Sequence, residues 1–227
     1  MVLFLAALCV ALVAGCHPQE DSCNVKTAGI YFQYEAVEEG GGALGRATLW
    51  VGDKPGGTNL VLGDCGDEVA VNGVKLKEKG SNPKYYEAAV PVADVYEFVF
   101  TREDEDPYVS VVDEMRPPVL DVAPSGGSIS RLDPFDVTWE NNDGGQIHLL
   151  ISGSCIWDYP NTLGDKVADN GSHTVPAEGL DATSAGESES CTAEIELTRE
   201  TTGSLDPALK GTIKGQSVGR SSFTTTP

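Results

Sequence analysis

The chain has 227 residues, and 15 Lys and Arg against 35 Asp and Glu leave a formal charge of -20. Such a field repels the phosphates of nucleic acid, whose binding relies on Lys and Arg. It also disfavours lying flat on anionic lipid, an effect softened by screening beyond about 8 Å at physiological salt.

Residues Val2 to Ala14 are an unbroken apolar run of 13, followed at once by Gly15, Cys16 and the polar stretch His-Pro-Gln-Glu-Asp. A bilayer core needs about 20 helical residues, so the run suits the apolar region of a secretory signal, commonly about 7 to 15 residues. No later stretch approaches its hydrophobicity. The n-region departs from the usual positive start, since it has no Lys or Arg.

The four residues Val13-Ala14-Gly15-Cys16 resemble the lipobox of bacterial lipoproteins. That resemblance implies residues 1–15 as the cleaved signal peptide, diacylglyceryl transfer to the Cys16 thiol and acylation, palmitate being one such chain, at the new amino terminus. His17 stands where an Asp would favour retention at the inner membrane, so the resemblance points to the cell outer membrane. Two or three buried acyl chains anchor stably where one is marginal, at about 0.8 kcal/mol per buried methylene. Residues 16–22 read as the lipidated cysteine and a short tether, reaching roughly 20 Å fully extended.

Cysteines 23, 65, 155 and 191 remain, an even number in an exported chain, and four cysteines allow three disulfide pairings. Pairing within each half, Cys23 with Cys65 and Cys155 with Cys191, is the simplest. Loop-closure entropy would make each bridge worth up to about 4 kcal/mol. Zinc finds no CxxC or HxH spacing, and the reading assigns no metal and no cofactor.

Both halves are written in short alternating runs divided by Gly, Pro, Asn and Asp, the pattern of all-β sandwiches. In chain order, Ile30, Phe32 and Tyr34 alternate with Tyr31, Gln33 and Glu35, and Ala47, Leu49 and Val51 alternate with Thr48 and Trp50. Gly40, Gly42 and Gly45 fit the letters of a phosphate-binding loop, but they open a strand where that chemistry needs a helix. They read as the loop between two strands. Asn72-Gly73 between Val69-Val71 and Val74-Leu76 predicts a hairpin, because both turn residues tolerate positive φ. Strands over Tyr85–Val90, Val95–Thr101 and Tyr108–Val112 bring this half to about seven.

Met115-Arg116-Pro117-Pro118 is the expected boundary, since adjacent prolines lack backbone donors. The expected division is 23–114 for the first sandwich, 115–118 for a proline linker and 119–227 for the second. Phe135, Val137 and Trp139 alternate, the turn Asn141-Asn142-Asp143-Gly144-Gly145 leads into Ile147, Leu149 and Ile151, and later strands fall at Ala193, Ile195 and Leu197 and over Ile213–Thr225. A one-residue slip would turn each apolar set to water, so register is well specified. The run from Pro117 through Phe-Asp-Val-Thr-Trp to Cys191-Thr-Ala-Glu-Ile-Glu-Leu-Thr-Arg resembles immunoglobulin-like domains of bacterial surface proteins. The layout resembles the two-domain lipoproteins abundant in myxobacteria and their relatives, which implies two antiparallel immunoglobulin-like β-sandwiches and no known activity. Trp139 precedes both cysteines, where a true immunoglobulin domain has its tryptophan between them.

His148 alternates onto the solvent face and His173 follows a turn-like Asn-Gly-Ser, so a nucleophile–histidine constellation has little to build on. The chain is read as not an enzyme. Glu103, Asp104, Glu105 and Asp106 are hard oxygen ligands, but calcium needs six to eight such oxygens, and they read as a solvated hairpin tip. The stretch between Cys155 and Cys191 reads as a long loop or short edge strands, where binding sites gather. There Trp157 and Tyr159 are candidate binding residues, their rings being large rigid contact surfaces. The functional expectation is a non-catalytic envelope lipoprotein, held to the membrane by its lipid anchor and touching a protein or polysaccharide partner. The alternatives are a calcium- or carbohydrate-binding surface module and an enzyme acting on envelope polymers.

Overall fold

The computed structural model describes residues 17–122, 127–140, 144–160 and 166–227. Cys16, the signal segment and Asn141 to Asp143 of the expected turn lie outside the described residues.

In chain order the strands of the first half are β1 (Gln19–Asp21), β2 (Ile30–Glu39), β3 (Gly42–Val51), β4 (Asn59–Val61), β5 (Glu68–Val71), β6 (Val74–Lys75), β7 (Lys77–Lys79), β8 (Tyr85–Val90), β9 (Val95–Thr101) and β10 (Tyr108–Asp113). Those of the second are β11 (Val119–Val122), β12 (Ser128–Ser130), β13 (Phe135–Glu140), β14 (Gln146–Gly153), β15 (Ile156–Tyr159), β16 (Lys166–Ala168), β17 (Ser172–Val175), β18 (Cys191–Thr202) and β19 (Lys210–Thr226). The fold is all-β. The helical turns among the described residues are two 3-10 segments, Ser22–Asn24 and Thr27–Gly29.

One 12-stranded sheet runs in the order β1-β4-β3-β2-β19-β18-β14-β15, with β7, β8, β12 and β16 attached off that path. A four-stranded sheet, β10-β9-β5-β6, covers the first half of it, and a three-stranded sheet, β11-β13-β17, covers the second. The result is two sandwiches built on one shared sheet. Period-two alternation sets the first core: Ile30, Phe32, Tyr34 and Ala36 of β2 point inward to meet Tyr96, Phe98 and Phe100 of β9. The Tyr34 and Phe98 rings stack at 4.8 Å and those of Phe32 and Phe100 lie 5.1 Å apart. Each such side chain contributes about 1.5–3 kcal/mol by leaving water. The second core gathers Val137 and Trp139 of β13, Ile147, Leu149 and Ile151 of β14, and Ala193, Ile195 and Leu197 of β18.

The turns follow the residues that need them. Gly40 and Gly41 both take positive φ between β2 and β3, as do Asn72 and Gly73 between β5 and β6, the two-residue hairpins that match strand twist. Both expected disulfides are present, Cys23–Cys65 and Cys155–Cys191, each with Cα atoms 5.9 Å apart.

Three expectations are corrected. Pairing is not wholly antiparallel: β1 with β4, β12 with β19, and β19 with β2 run parallel. The boundary at 115–118 does not confine the later chain to the second sandwich. The first nine residues of β19 pair with β2, from Lys210 opposite Tyr31 to Val218 opposite Glu39, and Leu209 and Ile213 sit in the first core. Only the far part of β19, with Phe223, reaches the second core. Finally, the stretch read as a tether is docked, and β1 pairs from Gln19 opposite Asn59 to Asp21 opposite Val61. The linker itself crosses the shared strand closely. A Cβ at Gly215 would lie 2.7 Å from Met115 Sδ and 2.8 Å from Val112 Cγ1, and one at Gly219 would strike the Pro118 carbonyl. Side-chain-free positions let the backbones approach there.

Candidate functional site

β19 orders the whole molecule along one axis. Its start lies beside the start of β2 and the end of β3, where Ile30 faces Val51. Its end lies beside β12 and Cys191, where Cys191 faces Thr225. The amino-terminal residues and the 155–191 disulfide are therefore at opposite ends of a strand 17 residues long.

At the first end His17 is fixed on three sides. Its backbone N–H donates to Asn82 Oδ1 at 3.0 Å, its Nδ1 lies 3.2 Å from the Gly57 carbonyl, and its ring meets Trp50 edge-on at 5.2 Å. Trp50 is held in turn by donating from Nε1 to Gln33 Oε1 at 2.7 Å. Behind β1, Arg102 reaches into the chain entry with both ends of its guanidinium. It pairs with buried Asp67 at 2.9 and 2.5 Å and donates to the carbonyls of Ser22 and Val25 at 2.8 and 2.7 Å. Charge-assisted, forked bonds of this kind are the strong class. With the Cys23–Cys65 bridge they bind the segment after His17 to the fold.

The acidic tip lies close by. Asp104 adopts φ 65 in the turn between β9 and β10. Glu105 Oε2 accepts from Tyr108 at 2.6 Å and Thr27 Oγ1 at 2.7 Å. The Tyr108 bond, with Thr27 second, holds the Glu105 carboxyl below its ordinary range. That carboxylate is thus turned onto the fold and away from its three acidic neighbours. Among the described residues the one group of three potential ligand atoms is Asp21 with the sulfurs of Cys23 and Cys65. Those sulfurs form a disulfide and offer no thiolate, so the donor set is a single carboxylate.

The other end carries the predicted aromatics. Cys155 is buried and bridged to the first residue of β18. Arg131, 5% exposed, donates from Nη2 to the Gly186 carbonyl at 2.9 Å and from Nη1 to the Glu189 carbonyl at 3.0 Å. This fastens the loop before Cys191. The edge strand β15 is partly covered by the same loop, since Trp157 N–H donates to the Asp181 carbonyl at 2.8 Å and Ile156 bridges Ala182. The Trp157 side chain is 59% exposed. Tyr159 is half-buried against the second core, and its hydroxyl lies 3.2 Å from His173 Nε2, a contact that spans the edges of the two sheets. Burial lowers the His173 pKa and raises that of Tyr159, which keeps both groups neutral at ordinary pH. The chain bends at Asn170 and Gly171, the latter at φ 93, and His173 follows on strand β17, where its imidazole meets a phenol. His148 lies 3.6 Å from Glu200. Beside Asp181 and Ala182 is a depression of about 320 Å³ lined also by Arg131, Leu132, Leu180 and Pro227, with Leu132 62% exposed.

The structure thus places Trp157 and Tyr159 on one short strand, β15, but divides their roles, one toward solvent and one into a structural contact. Arg131 and Leu132, which complete this end, went unnoticed in the sequence because they precede Phe135 in a turn without periodic signal.

No protein-family model and no curated protein sequence matches the chain. Among solved structures it is similar to the fibronectin(III)-like modules of Clostridium thermocellum CbhA, at 9% identity over 94% of this chain and 90% of that one, with a TM-score of 0.26.

Proposed function

We propose that the chain is a non-catalytic envelope lipoprotein, anchored through lipid on Cys16 in the outer membrane, that presents the Trp157 end of its second sandwich to a protein or polysaccharide partner. The anchoring reading rests on the apolar run and lipobox ahead of Cys16, and the two disulfides suit an oxidising compartment outside the cytoplasm. The presenting role rests on one observation above all: β19 runs unbroken from the His17 end to the Cys191 end. At about 3.3 Å per residue it spans roughly 55 Å. A contact surface at its far end is held off the membrane by a sheet, not by a flexible stalk.

Trp157 and Leu132, large apolar side chains left in water at this end, with Leu132 lining the depression, give that surface its chemistry; aromatic anchors are among the residues that dominate contact energies. Photo-crosslinking residues placed at 157, at 132 and at the mid-sheet position 87 test the presenting role in whole cells. Adducts concentrated at 157 and 132 are expected. Adducts spread evenly, or richest at 87, contradict it. Membrane fractionation of Cys16→Ser tests the anchor separately: the variant leaves the membrane if the lipid holds it there.

A further inference from the structure

The carboxylates of the molecule are not equally matched. On the face of the shared sheet turned away from the cores, Glu35 and Glu87 pair with Arg46, Glu39, Glu194 and Glu196 with Arg220, and Glu200 with Lys214. At the Trp157 end Asp133, Asp158, Glu178, Asp181, Glu187 and Glu189 are all exposed, and no cation of the described residues pairs with any of them. The basic residue at this end is Arg131. It is buried, and its Nη atoms are spent on the carbonyls of Gly186, Glu187 and Glu189 and on the Cys155 sulfur.

The same end exposes apolar surface. The depression of about 320 Å³ has Leu132, Leu180 and Ala182 for its apolar lining and Glu178, Asp181 and Glu187 for its acidic lining. Trp157 joins it through Asp181. The Trp157 N–H donates to the Asp181 carbonyl next to the antiparallel bridge from Ile156 to Ala182. Trp157 therefore stands opposite Asp181, and directly opposed residues of an antiparallel pair send their side chains to one face. Among the exposed large apolar side chains of the described residues, Trp157 is the one aromatic.

We infer that this end takes a basic segment of a partner protein, an arginine next to an apolar side chain. The guanidinium lies on the Trp157 ring and pairs with Asp181, while the apolar side chain enters the depression. The inference deepens the presenting role proposed above and rests on it. A guanidinium is planar, stacks on aromatic faces and forks onto a carboxylate, and Trp157 with Asp181 offers both on one face. Glu178 and Glu187 receive a flanking cation and steer its approach within about a Debye length. A neutral glycan stacks on the ring but draws nothing from the carboxylates, and an acidic polymer is repelled by them. Charge thus selects a basic protein segment from the two partner classes.

The test uses the full chain as the cell makes it, in nonionic detergent. The probes are short peptides of Gly-Arg-Leu repeats, the same peptides with neutral citrulline for arginine, and a neutral oligosaccharide, cellohexaose. Binding is read as protection of Trp157 from acrylamide quenching, because Trp50 and Trp139 are already buried. The arginine peptide is expected to half-saturate at a concentration about tenfold below the citrulline peptide, a difference of about 1.4 kcal/mol. That gap should close at about 0.5 M salt, where the Debye length is a few ångströms. It should also close in the triple variant Glu178→Gln, Asp181→Asn, Glu187→Gln, which changes exposed side chains only. Equal binding of the two peptides, a preference that survives the triple variant, or protection by no probe overturns the inference. Tighter binding of cellohexaose overturns it in favour of a glycan. The presenting role is judged separately by the whole-cell adducts at 157 and 132: with those adducts kept, failure of the peptides removes the basic partner alone.

Discussion

Arg199 of β18 donates from Nε to Asp169 Oδ2 at 2.6 Å, with 2% of the arginine and none of the aspartate side chain open to water. Asp169 also accepts from Trp139 Nε1 at 2.8 Å, and Arg199 Nη1 donates to the carbonyl of Arg116 in the linker. A buried ion pair thus ties the second core to the segment that crosses between the sandwiches. Such pairs add little net stability relative to apolar replacements, but losing one partner strands the other. Together with the linker packed on Gly215 and Gly219, the pair makes the junction a built one.

Arg199→Ala should therefore cost about 3–5 kcal/mol, read as a loss in chemical denaturation. The paired replacement Arg199→Met with Asp169→Leu should recover much of it. Equal losses for the single and the paired change would show that the charge left behind is not the cause.

Gly219→Val tests the linker crossing. Its side chain would enter the space of the Pro118 carbonyl and Leu120, and overpacking of this kind costs about 1–3 kcal/mol. Gly144→Val, at positive φ but with nothing among the described residues within 4 Å of a Cβ there, separates backbone strain from collision. The account expects Gly219→Val alone to raise protease sensitivity at residues 115–120. Unchanged cleavage there would contradict the close crossing.

The His173 contact gives a pH dependence. Burial lowers the folded pKa below the ordinary 6.5, so as pH falls through 6.5 the unfolded chain takes up its proton first. Stability is full above that value and declines below it until the folded histidine also titrates. The Tm of the wild type should fall more steeply than that of His173→Gln between pH 6.5 and the lower folded value. Parallel Tm profiles would contradict the burial of this imidazole.

Much of the fold was legible in the sequence wherever the signal is local. Alternation from Ile30 to Tyr34 marked β2, Asn72-Gly73 marked a hairpin, and the spacing of the cysteines into two halves gave both bridges. What escaped was non-local. Parallel pairing of β19 with β2 joins residues far apart in the chain, and no short pattern encodes it. The docking of His17 depends on Asn82, Gly57 and Trp50, three positions brought together only by the fold. Arg199 was partly readable, because it continues the inward series Ala193, Ile195, Leu197, and a charge at an inward position demands a partner. For the candidate site, Trp157 and Tyr159 were found from residue type, but which of them faces water goes with the extra residue that β15 carries between Ile156 and Tyr159, opposite Gly153 and Ile151.

As proposed, lipid on Cys16 holds the His17 end at the membrane. Intact-mass and amino-terminal peptide analysis of protein extracted from native membranes tests it most directly. The account predicts a chain that begins at Cys16 and carries a diacylglyceryl group on its thiol. A chain that still begins at Met1, or a Cys16 with a free thiol, would contradict it.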